Sequence, residues 1–186
     1  MESSSATAKR LLEAALAIID RDGIDALTVR SLVAESGVSN GSVYHHVGSL
    51  DRVEAAAADE AIRAWSAAFL AALERGGYAA AAAADRTWSR AHPGLAALIE
   101  RNGQRGELGP AARDFGIGLR AWLDSRRLAI DAPAQVVAAV LLGPLAELRR
   151  LEKATGRMTR KTDFEALEAA VINGLKSLGS NLEVQH

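Results

Sequence analysis

Apolar side chains recur along this chain with the spacing of amphipathic helices. From residue 7 onward, Leu12, Leu16 and Ile19 lie three or four residues apart, and Asp22-Gly23 ends the run. A second stripe near the C-terminus consists of Phe164, Leu167, Val171, Leu175 and Leu178. No stretch shows the strict alternation of a half-buried strand. The pattern predicts an all-α chain of about nine helices.

Residues 27–52 contain two short helical patterns separated by a tight turn. Thr28 is a good N-cap for the first helix, and Gly37 can take the left-handed conformation that ends it. Val38 can fill the corner between the helices, and Ser39 or Asn40 can cap the second, at about residues 40–46. This layout is typical of a helix-turn-helix whose second helix enters a DNA major groove.

Glycine and proline divide the rest of the chain into six more predicted helices. Ser49 opens a long one, Arg75-Gly76-Gly77 breaks it, and Pro93 suits the first turn of a later one. The predicted ranges are 49–73, 78–91, 93–102, 111–128, a helix that starts at Asp131-Ala132-Pro133, and a last helix opened by a capping-box pattern at Thr162-Asp163-Phe164-Glu165.

The helix after Pro133 has no polar side chain over the eleven residues from Val136 to Ala146. A helix that is apolar on every side is expected to be buried on every side, and this one is far too short to cross a bilayer. We expect Gly143-Pro144 to kink it, because proline lacks the backbone N–H that the helix needs.

The sequence GVSNGSVYHHV at residues 37–47, followed by Ser49 at the next helix start, resembles the TetR family of bacterial transcriptional regulators. The resemblance covers about the first 55 residues. Three positions depart from the family pattern: Val33 stands where a small residue is usual, Val47 replaces a phenylalanine, and Leu50 replaces a lysine that commonly meets a phosphate. The resemblance implies a helix-turn-helix DNA-binding domain at residues 1–50 and a larger helical ligand-binding and dimerisation domain at residues 51–186.

The resemblance also implies roles for individual residues. Those assigned to DNA binding are Thr28, Ser39, Asn40, Gly41, Ser42, Tyr44 and His45. Within this set, Thr28, Tyr44 and His45 would meet phosphates, whereas residues 40–42 would face base edges and Val43 and His46 would pack inward. The alternative is that Ser39, Asn40 and Ser42 serve only as cap and turn residues.

In such proteins the C-terminal helices hold a small-molecule cavity, and the last two helices pair with those of a second subunit. The aromatic residues assigned to ligand binding are Trp65, Phe69, Trp88, Phe115 and Trp122, although an aromatic side chain in a helix more often packs in the core. The residues assigned to the dimer interface are Val136, Val140, Leu141, Leu145, Leu148, Leu167, Val171 and Leu175.

Charge alone does not favour a nucleic-acid partner. The 186-residue chain has a net charge of −1, and its first 55 residues carry five basic and eight acidic side chains, a net charge of −3. Between Ser36 and Leu50, however, only the histidines can carry charge. We therefore expect weak nonspecific DNA binding, a modest dependence on salt, and specificity that rests on fit.

The sequence offers little for catalysis. It has no cysteine, which excludes disulfides, thiolate metal sites and a cysteine nucleophile, and it has no phosphate-binding loop or known hydrolase motif. His45 and His46 point about 100° apart on a helix, so they cannot both bind one metal ion from it. We expect no enzymatic activity, no cofactor and no bound metal. His92, alone before a proline, is expected to cap a helix or lie at the surface.

Without an apparent signal peptide or membrane span, we expect a cytoplasmic protein with no membrane partner. The expected partners are a roughly palindromic double-stranded DNA operator, a second copy of the chain in a homodimer, and an unidentified small-molecule effector that releases a repressor from DNA. The alternative is a dimeric helical small-molecule-binding protein whose DNA binding is weak or lost, which the net charge of the N-terminal segment and Leu50 favour.

Overall fold

The computed structural model describes residues 4–106 and 109–180 and, within them, all side chains except those of Ser4, Tyr44, His46, Val47, Gly179 and Ser180. These residues form helices and connecting turns without a β-strand, which confirms the all-α prediction. The helices are α1 (Ser4–Asp22), a 3-10 turn (Ile24–Ala26), α2 (Val29–Ser36), α3 (Asn40–Val47), α4 (Leu50–Ala91), α5 (Pro93–Arg105), α6 (Pro110–Ser125), α7 (Ala134–Thr155) and α8 (Lys161–Ser180).

Helix α4 is interrupted where the sequence predicts a break. Gly76 has φ −145° and ψ 18°, and Gly77 has φ 73° and ψ −166°, so neither residue is helical. The backbone N–H of Tyr78, which begins the second limb of the helix, donates to Glu168 Oε1 at 2.6 Å. A Cβ on Gly77 would overlap the same carboxylate. With this break counted, the described residues contain nine α-helical segments, in agreement with the roughly nine helices that the pattern predicts.

Packing divides the chain into two compact units. The first contains Met1–Trp65 and Ser89–Asp114, and the second contains Ser66–Trp88 and Phe115–His186. The first unit therefore includes the predicted helix-turn-helix together with α5 and the first part of α4.

In the first unit, α1 is the central helix and packs against α2, α3 and α5. Its buried face is formed by Leu11, Ala14, Ala15, Ile18 and Ile19. The helix is amphipathic as predicted, but Leu12 and Leu16 of the predicted stripe are only half-buried. The start of α5 comes so close to the end of α1 that a Cβ on Gly94 would overlap the carbonyl oxygen of Ile19. A glycine is therefore required at this contact.

In the second unit, α7 packs against α8, with Leu141, Leu145, Val171 and Leu175 buried. The Tyr78 hydroxyl is also buried and donates to the carbonyl oxygen of Leu141 at 2.5 Å. Burial, with a smaller contribution from the charge of Asp85, raises the pKa of Tyr78 well above its ordinary value. The hydroxyl therefore stays protonated and keeps donating, which ties α4 to α7.

Two predicted helix ends were wrong. Helix α5 continues past Asn102-Gly103 and ends at Arg105, because Gly106, with φ 71°, provides the left-handed C-cap. Helix α6 ends at Ser125 and not at Leu128, and Arg127, Ala129 and Asp131 in the following loop have positive φ. The Arg120 guanidinium donates to the carbonyl oxygens of Leu128 (3.0 Å) and Ala129 (3.2 Å), which holds the start of this loop against α6.

The predicted capping box of the last helix was also misplaced. Helix α8 starts at Lys161, and Asp163 Oδ2 accepts the backbone N–H of Arg160 at 2.8 Å. Hydrogen bonds from Arg160 hold the pKa of this carboxyl below its usual value. The cap is therefore built around Arg160 and Asp163, two residues before the predicted position.

Helix α7 is continuous through Pro144, and its apolar segment is not buried on every side as predicted. Val137, Leu141 and Leu145 are buried, whereas Val136 is 39% exposed. The exposed face also carries Ala139, Gly143 and Ala146. The prediction was wrong for the single chain, which leaves an apolar face of α7 uncovered.

The close approach of α5 to α1 predicts opposite effects for two glycines of one helix. Gly94→Ala should destabilise the protein by about 3 kcal/mol, because its methyl group would overlap the Ile19 backbone. Gly103→Ala should stabilise it by about 0.5 kcal/mol, because a Cβ there has open space and alanine favours the helix. Urea denaturation of both variants and the wild type measures the difference, and equal stabilities would contradict the packing described.

Candidate nucleic-acid interface and other candidate sites

The start of α2 is fixed by a capping box. Thr28 Oγ1 accepts the backbone N–H of Ser31 at 3.0 Å, and Ser31 Oγ accepts the backbone N–H of Thr28 at 2.9 Å. Ser31 Oγ also donates to the carbonyl oxygen of Ala26 at 2.7 Å, which ties the preceding 3-10 turn to the helix. Thr28 is the predicted cap, and its exposed side chain lies at a helix N-terminus, where N–H groups favour phosphate.

The turn between α2 and α3 has the predicted glycine geometry. Gly37 has φ 67°, and its N–H donates to the Val33 carbonyl oxygen at 3.0 Å. Arg10 Nη2 donates to the carbonyl oxygen of Ser36 at 2.9 Å, so a cation of α1 stabilises the C-terminus of α2. Arg10 thereby supports the turn.

The helix-turn-helix is held together by three apolar side chains. Leu32 of α2 is fully buried, and Val38 in the turn and Val43 in α3 are 7% and 3% exposed. Val38 therefore fills the corner as predicted, and Val43 points inward. Burial of Val43 directs other positions of α3 toward solvent, because a short helix can bury only one face.

The start of α3 is capped by Ser39, one of the two predicted candidates. Its Oγ accepts the Ser42 backbone N–H at 3.4 Å and lies 3.0 Å from Ser42 Oγ. Asn40 and Gly41 follow this cap and are exposed, and a Cβ on Gly41 would meet no atom within 4 Å. The backbone at Gly41 is therefore open to close approach by a large ligand.

The structure brings the predicted DNA-binding residues to the first turn of α2 and to α3. Thr28, Ser39, Asn40, Gly41 and His45 are exposed, and Ser42 is half-buried. Tyr44 also belongs to α3, but its side chain lies outside the part that the structure describes, as do the side chains of His46 and Val47.

Several acidic side chains around this surface form ion pairs within the first unit. Arg21 binds Glu35 at 3.1 Å, and this hydrogen bond, followed by the one to Asp22, raises the pKa of the exposed Arg21 guanidinium. Arg101 binds Glu54 at 2.7 Å. Together with the uncharged segment between Ser36 and Leu50, these pairs reduce the repulsion that the net charge of the N-terminal segment would impose on DNA.

Arg101 and His92 are contributed by residues 89–114, which the sequence does not link to the helix-turn-helix. His92 Nδ1 lies 2.7 Å from Asp20 Oδ2, so His92 connects α5 to α1 as well as preceding its first turn. Arg101 is separated from Glu54 by 47 residues. No local spacing pattern could have identified either contact.

The aromatic residues predicted to bind a ligand are divided between the two units. Phe69 and Phe115 contact each other edge to face in the second unit, with ring centroids 5.8 Å apart. Trp122 belongs to the same unit and is 6% exposed. Trp88 is half-buried in the second unit, whereas Trp65 is half-buried in the first.

Trp122 has one unsatisfied donor. Its indole Nε1–H is buried and has no hydrogen-bond partner. The Arg126 guanidinium carbon lies 4.5 Å from the centre of the indole ring, which makes a cation–π contact. An unpaired buried N–H costs about 1–3 kcal/mol, so an acceptor from a ligand would relieve this cost.

A cleft in the second unit is lined by charged residues that the sequence does not single out. Asp85, only 3% exposed, binds Arg149 at 2.6 Å, and Arg86 binds Glu152 at 3.2 Å. The remaining lining residues are Leu145, Leu148, Thr159 and Phe164. The enclosed space is about 10 Å³, room for roughly one water molecule. The charge pairs therefore tie α4 to α7 and leave no space for an organic ligand.

The residues predicted at a dimer interface differ in exposure. Leu141, Leu145, Val171 and Leu175 are buried within the single chain. Val140, Leu148 and Leu167 are half-buried, and Val136 is exposed. The first four are therefore covered within the single chain, whereas the other four keep part of their surface exposed.

Neither a metal cluster nor a membrane span is found in residues 4–106 and 109–180. These residues contain no group of three or more His, Asp or Glu side chains placed to hold a metal ion. No helix among them has both the length and the apolar character needed to cross a bilayer.

Comparison with known proteins gives a family match for the helix-turn-helix and solved structures that share the fold. Residues 11–49 match the profile of a family described as bacterial regulatory proteins, tetR family. No curated protein sequence matches the chain significantly. Three solved structures are similar across nearly the whole chain, at low sequence identity, which is evidence for a shared fold.

The first of these structures is the multidrug binding protein EbrR complexed with imidazole, with 23% identity, 88% of each chain covered and a TM-score of 0.63. The second is a protein of unknown function from Rhodococcus sp. RHA1, with 23% identity, 95% of this chain and 97% of that chain covered, and a TM-score of 0.66. The third is a TetR transcriptional regulator from Streptomyces coelicolor, with 19% identity, 91% and 97% covered, and a TM-score of 0.59.

The capping box of α2 predicts a graded response to substitution of Thr28. Thr28→Ala should lower the free energy of unfolding by about 1 kcal/mol, because the Ser31 N–H would lose its acceptor. Thr28→Ser keeps the hydroxyl and should remain within about 0.3 kcal/mol of the wild type. Urea denaturation followed by circular dichroism measures both values, and an unchanged Thr28→Ala variant would count against the cap.

Proposed function

We propose that this chain, whose residues 11–49 match the tetR family of bacterial regulatory proteins, is a DNA-binding transcription regulator that acts as a ligand-released repressor. In this proposal a homodimer covers a roughly palindromic operator. Residues 1–50 bind DNA, and residues 51–186 bind the effector and form the dimer. We propose no enzymatic role and no cofactor for it.

The observation that carries the DNA-binding proposal is the exposed first turn of α3. Ser39 caps this helix, and the buried side chain of Val43 packs it against the rest of the unit. Asn40 and Gly41 are exposed to solvent, and the segment from 36 to 50 contains no acidic residue. An asparagine can pair with adenine through two hydrogen bonds, and a glycine lets the backbone approach a groove closely. Exposure, capping and lack of acidic charge together suit insertion into a major groove.

The test begins with selection of bound duplexes from a random or genomic DNA library by the purified protein. Asn40→Ala should lower affinity for the selected site by about tenfold, because it removes a base contact. It should leave affinity for a scrambled duplex unchanged. Gln104→Ala, which removes an exposed side-chain amide from α5 of the same unit, is the matched control and should bind like the wild type. Binding of the Asn40 variant equal to that of the control would contradict the assigned role.

The same selection distinguishes the alternative function. Failure to enrich any sequence, even at low salt, would reject operator binding for the isolated protein and favour a small-molecule-binding protein with lost DNA affinity. The net charge of the N-terminal segment and Leu50 in place of a lysine motivate that alternative. If a site is enriched, its affinity across a salt series should show a shallow slope.

The uncovered faces of α7 and α8 support the homodimer. In α7 the exposed side includes Val136, Ala139, Gly143 and Ala146, and in α8 it includes Ala166, Ala169 and Ala170. Small apolar side chains allow helices to approach closely, and a second copy would present the same surface. Two-fold pairing of these helices would remove from water the face of α7 that the single chain leaves exposed.

A charge placed on this surface should dissociate the dimer. The wild type is expected to have twice the 19.6 kDa mass of one chain. Ala139→Glu and Ala170→Glu should shift it to the monomer, because two buried carboxylates would face each other across the two-fold axis. Ala71→Glu, at an exposed alanine of α4, should leave the mass unchanged. Sedimentation velocity measures the masses, and a monomeric wild type would reject the dimer.

Aromatic residues of the second unit support effector binding. Phe69 and Phe115 pack edge to face, and Trp122 of the same unit has a buried indole N–H without a partner, features that suit an apolar molecule carrying a hydrogen-bond acceptor. In the proposed mechanism, such a molecule binds better to the conformation in which α4 holds the two DNA-binding domains at the wrong separation. Binding then releases the operator, because a ligand shifts an equilibrium by its difference in affinity for the two states.

A further inference from the structure

The helix-turn-helix is bracketed by two acidic side chains that meet the same arginine. Asp25 lies in the 3-10 turn before α2, and Glu54 lies in α4 just after α3. Arg101 of α5 reaches both of them: its Nη2 donates to Glu54 Oε1 at 2.7 Å and to Oε2 at 2.8 Å, and its Nη1 is 3.7 Å from Asp25 Oδ1. Arg105, one turn further along α5, lies 3.6 Å from Glu54.

The other end of α5 is fixed to α1. Gly94 sits against the backbone of Ile19 with no room for a Cβ, and His92 contacts Asp20 at 2.7 Å. Helix α5 is therefore held at its start against α1 and at its end against the segments on both sides of the helix-turn-helix. In agreement with these contacts, residues 89–114 belong to the same compact unit as residues 1–65.

The contacts of Arg101 are poorly explained by stability alone. Its side chain is 31% exposed and that of Glu54 is 16% exposed, so water weakens the attraction. Its Nε is buried without a partner, which costs free energy. The geometry nevertheless favours Glu54, because Nη2 lies within hydrogen-bond distance of both its oxygens, whereas Nη1 faces the fully exposed carboxylate of Asp25 at 3.7 Å, beyond hydrogen-bond distance.

We propose that Arg101 is a positioning residue for operator binding, which sets the placement of the helix-turn-helix relative to α4 through its hydrogen bonds to Glu54, with a weaker ion pair to Asp25. This inference rests on the proposed function. It makes α5 part of the DNA-binding unit and gives that helix a direct mechanical connection to the segments that flank α2 and α3. Arg101 itself does not contact DNA in this proposal.

The test compares the full-length wild type with Arg101→Gln, Glu54→Gln, the double variant and the control Arg113→Gln. Arg113 is exposed in the same unit, so its variant matches the charge lost from Arg101. The measured quantity is the ratio of affinities for the selected operator and a scrambled duplex of equal length. Circular dichroism at the assay temperature confirms that each variant is folded.

Positioning predicts that both single variants lower this ratio by about fivefold, although they change the protein charge in opposite directions. The double variant should be no worse than either single variant, and Arg113→Gln should change the ratio by less than about twofold. A purely electrostatic effect on DNA would instead move the affinities of the two single variants in opposite directions for both duplexes and leave their ratios near that of the wild type. That result, or equal ratios for Arg101→Gln and Arg113→Gln, would overturn the proposal.

Hydrogen exchange of the DNA-free protein separates this proposal from the proposed function. Arg101→Gln should speed amide exchange in peptides covering residues 24–54 relative to Arg113→Gln, because the flanks of the helix-turn-helix lose their common anchor. If the wild type selects no DNA site, the operator-binding proposal is rejected. The amide exchange rates in residues 24–54 then still show whether Arg101 stabilises this segment. Unchanged exchange in residues 24–54 would reject the positioning role.

Discussion

The free backbone N–H groups at helix starts are the constraint on which this structure most depends. A protein made almost entirely of helices has many such ends, and each buried one must find an acceptor. Two of them are satisfied by carboxylates from distant helices. Asp59 Oδ1 accepts the backbone N–H of Ala111 at 2.8 Å, and Glu168 accepts that of Tyr78 at 2.6 Å. These bonds connect helices that are far apart in sequence. They also fix the positions at which α6 and the second limb of α4 begin.

The two glycines beside these caps show how tightly the geometry is set. A Cβ on Gly77 would overlap the Glu168 carboxylate, and a Cβ on Gly109 would overlap that of Asp59. Glycine therefore does more than break a helix at these positions, because it also gives an acidic side chain access to the next helix start. The Gly76-Gly77 break in α4 is in this way held by α8, and the start of α6 is held by α4.

The proposed DNA-binding surface combines local and long-range support. Capping by Thr28 and Ser39 and the left-handed Gly37 are local, so they form wherever this sequence folds. Support from Arg10 and Arg101 is long-range and depends on how α1 and α5 pack. The exposed side chains of α3 are thus presented by a short local motif whose orientation is controlled from outside it. This division suits the proposed function, in which DNA affinity responds to effector binding elsewhere in the chain.

The sequence by itself determined the helical class, the helix-turn-helix with its caps, and the break in α4, because these follow from periodicity and from the backbone preferences of Gly37 and Gly77 within a few residues. It also placed the exposed residues at the start of α3. Only the tertiary structure decided the grouping of α5 with the helix-turn-helix, the contact of Arg101 with Glu54, and the open face of α7. Contacts between residues dozens of positions apart leave no period in the sequence, and a helix that is apolar all round does not reveal which face its own chain covers.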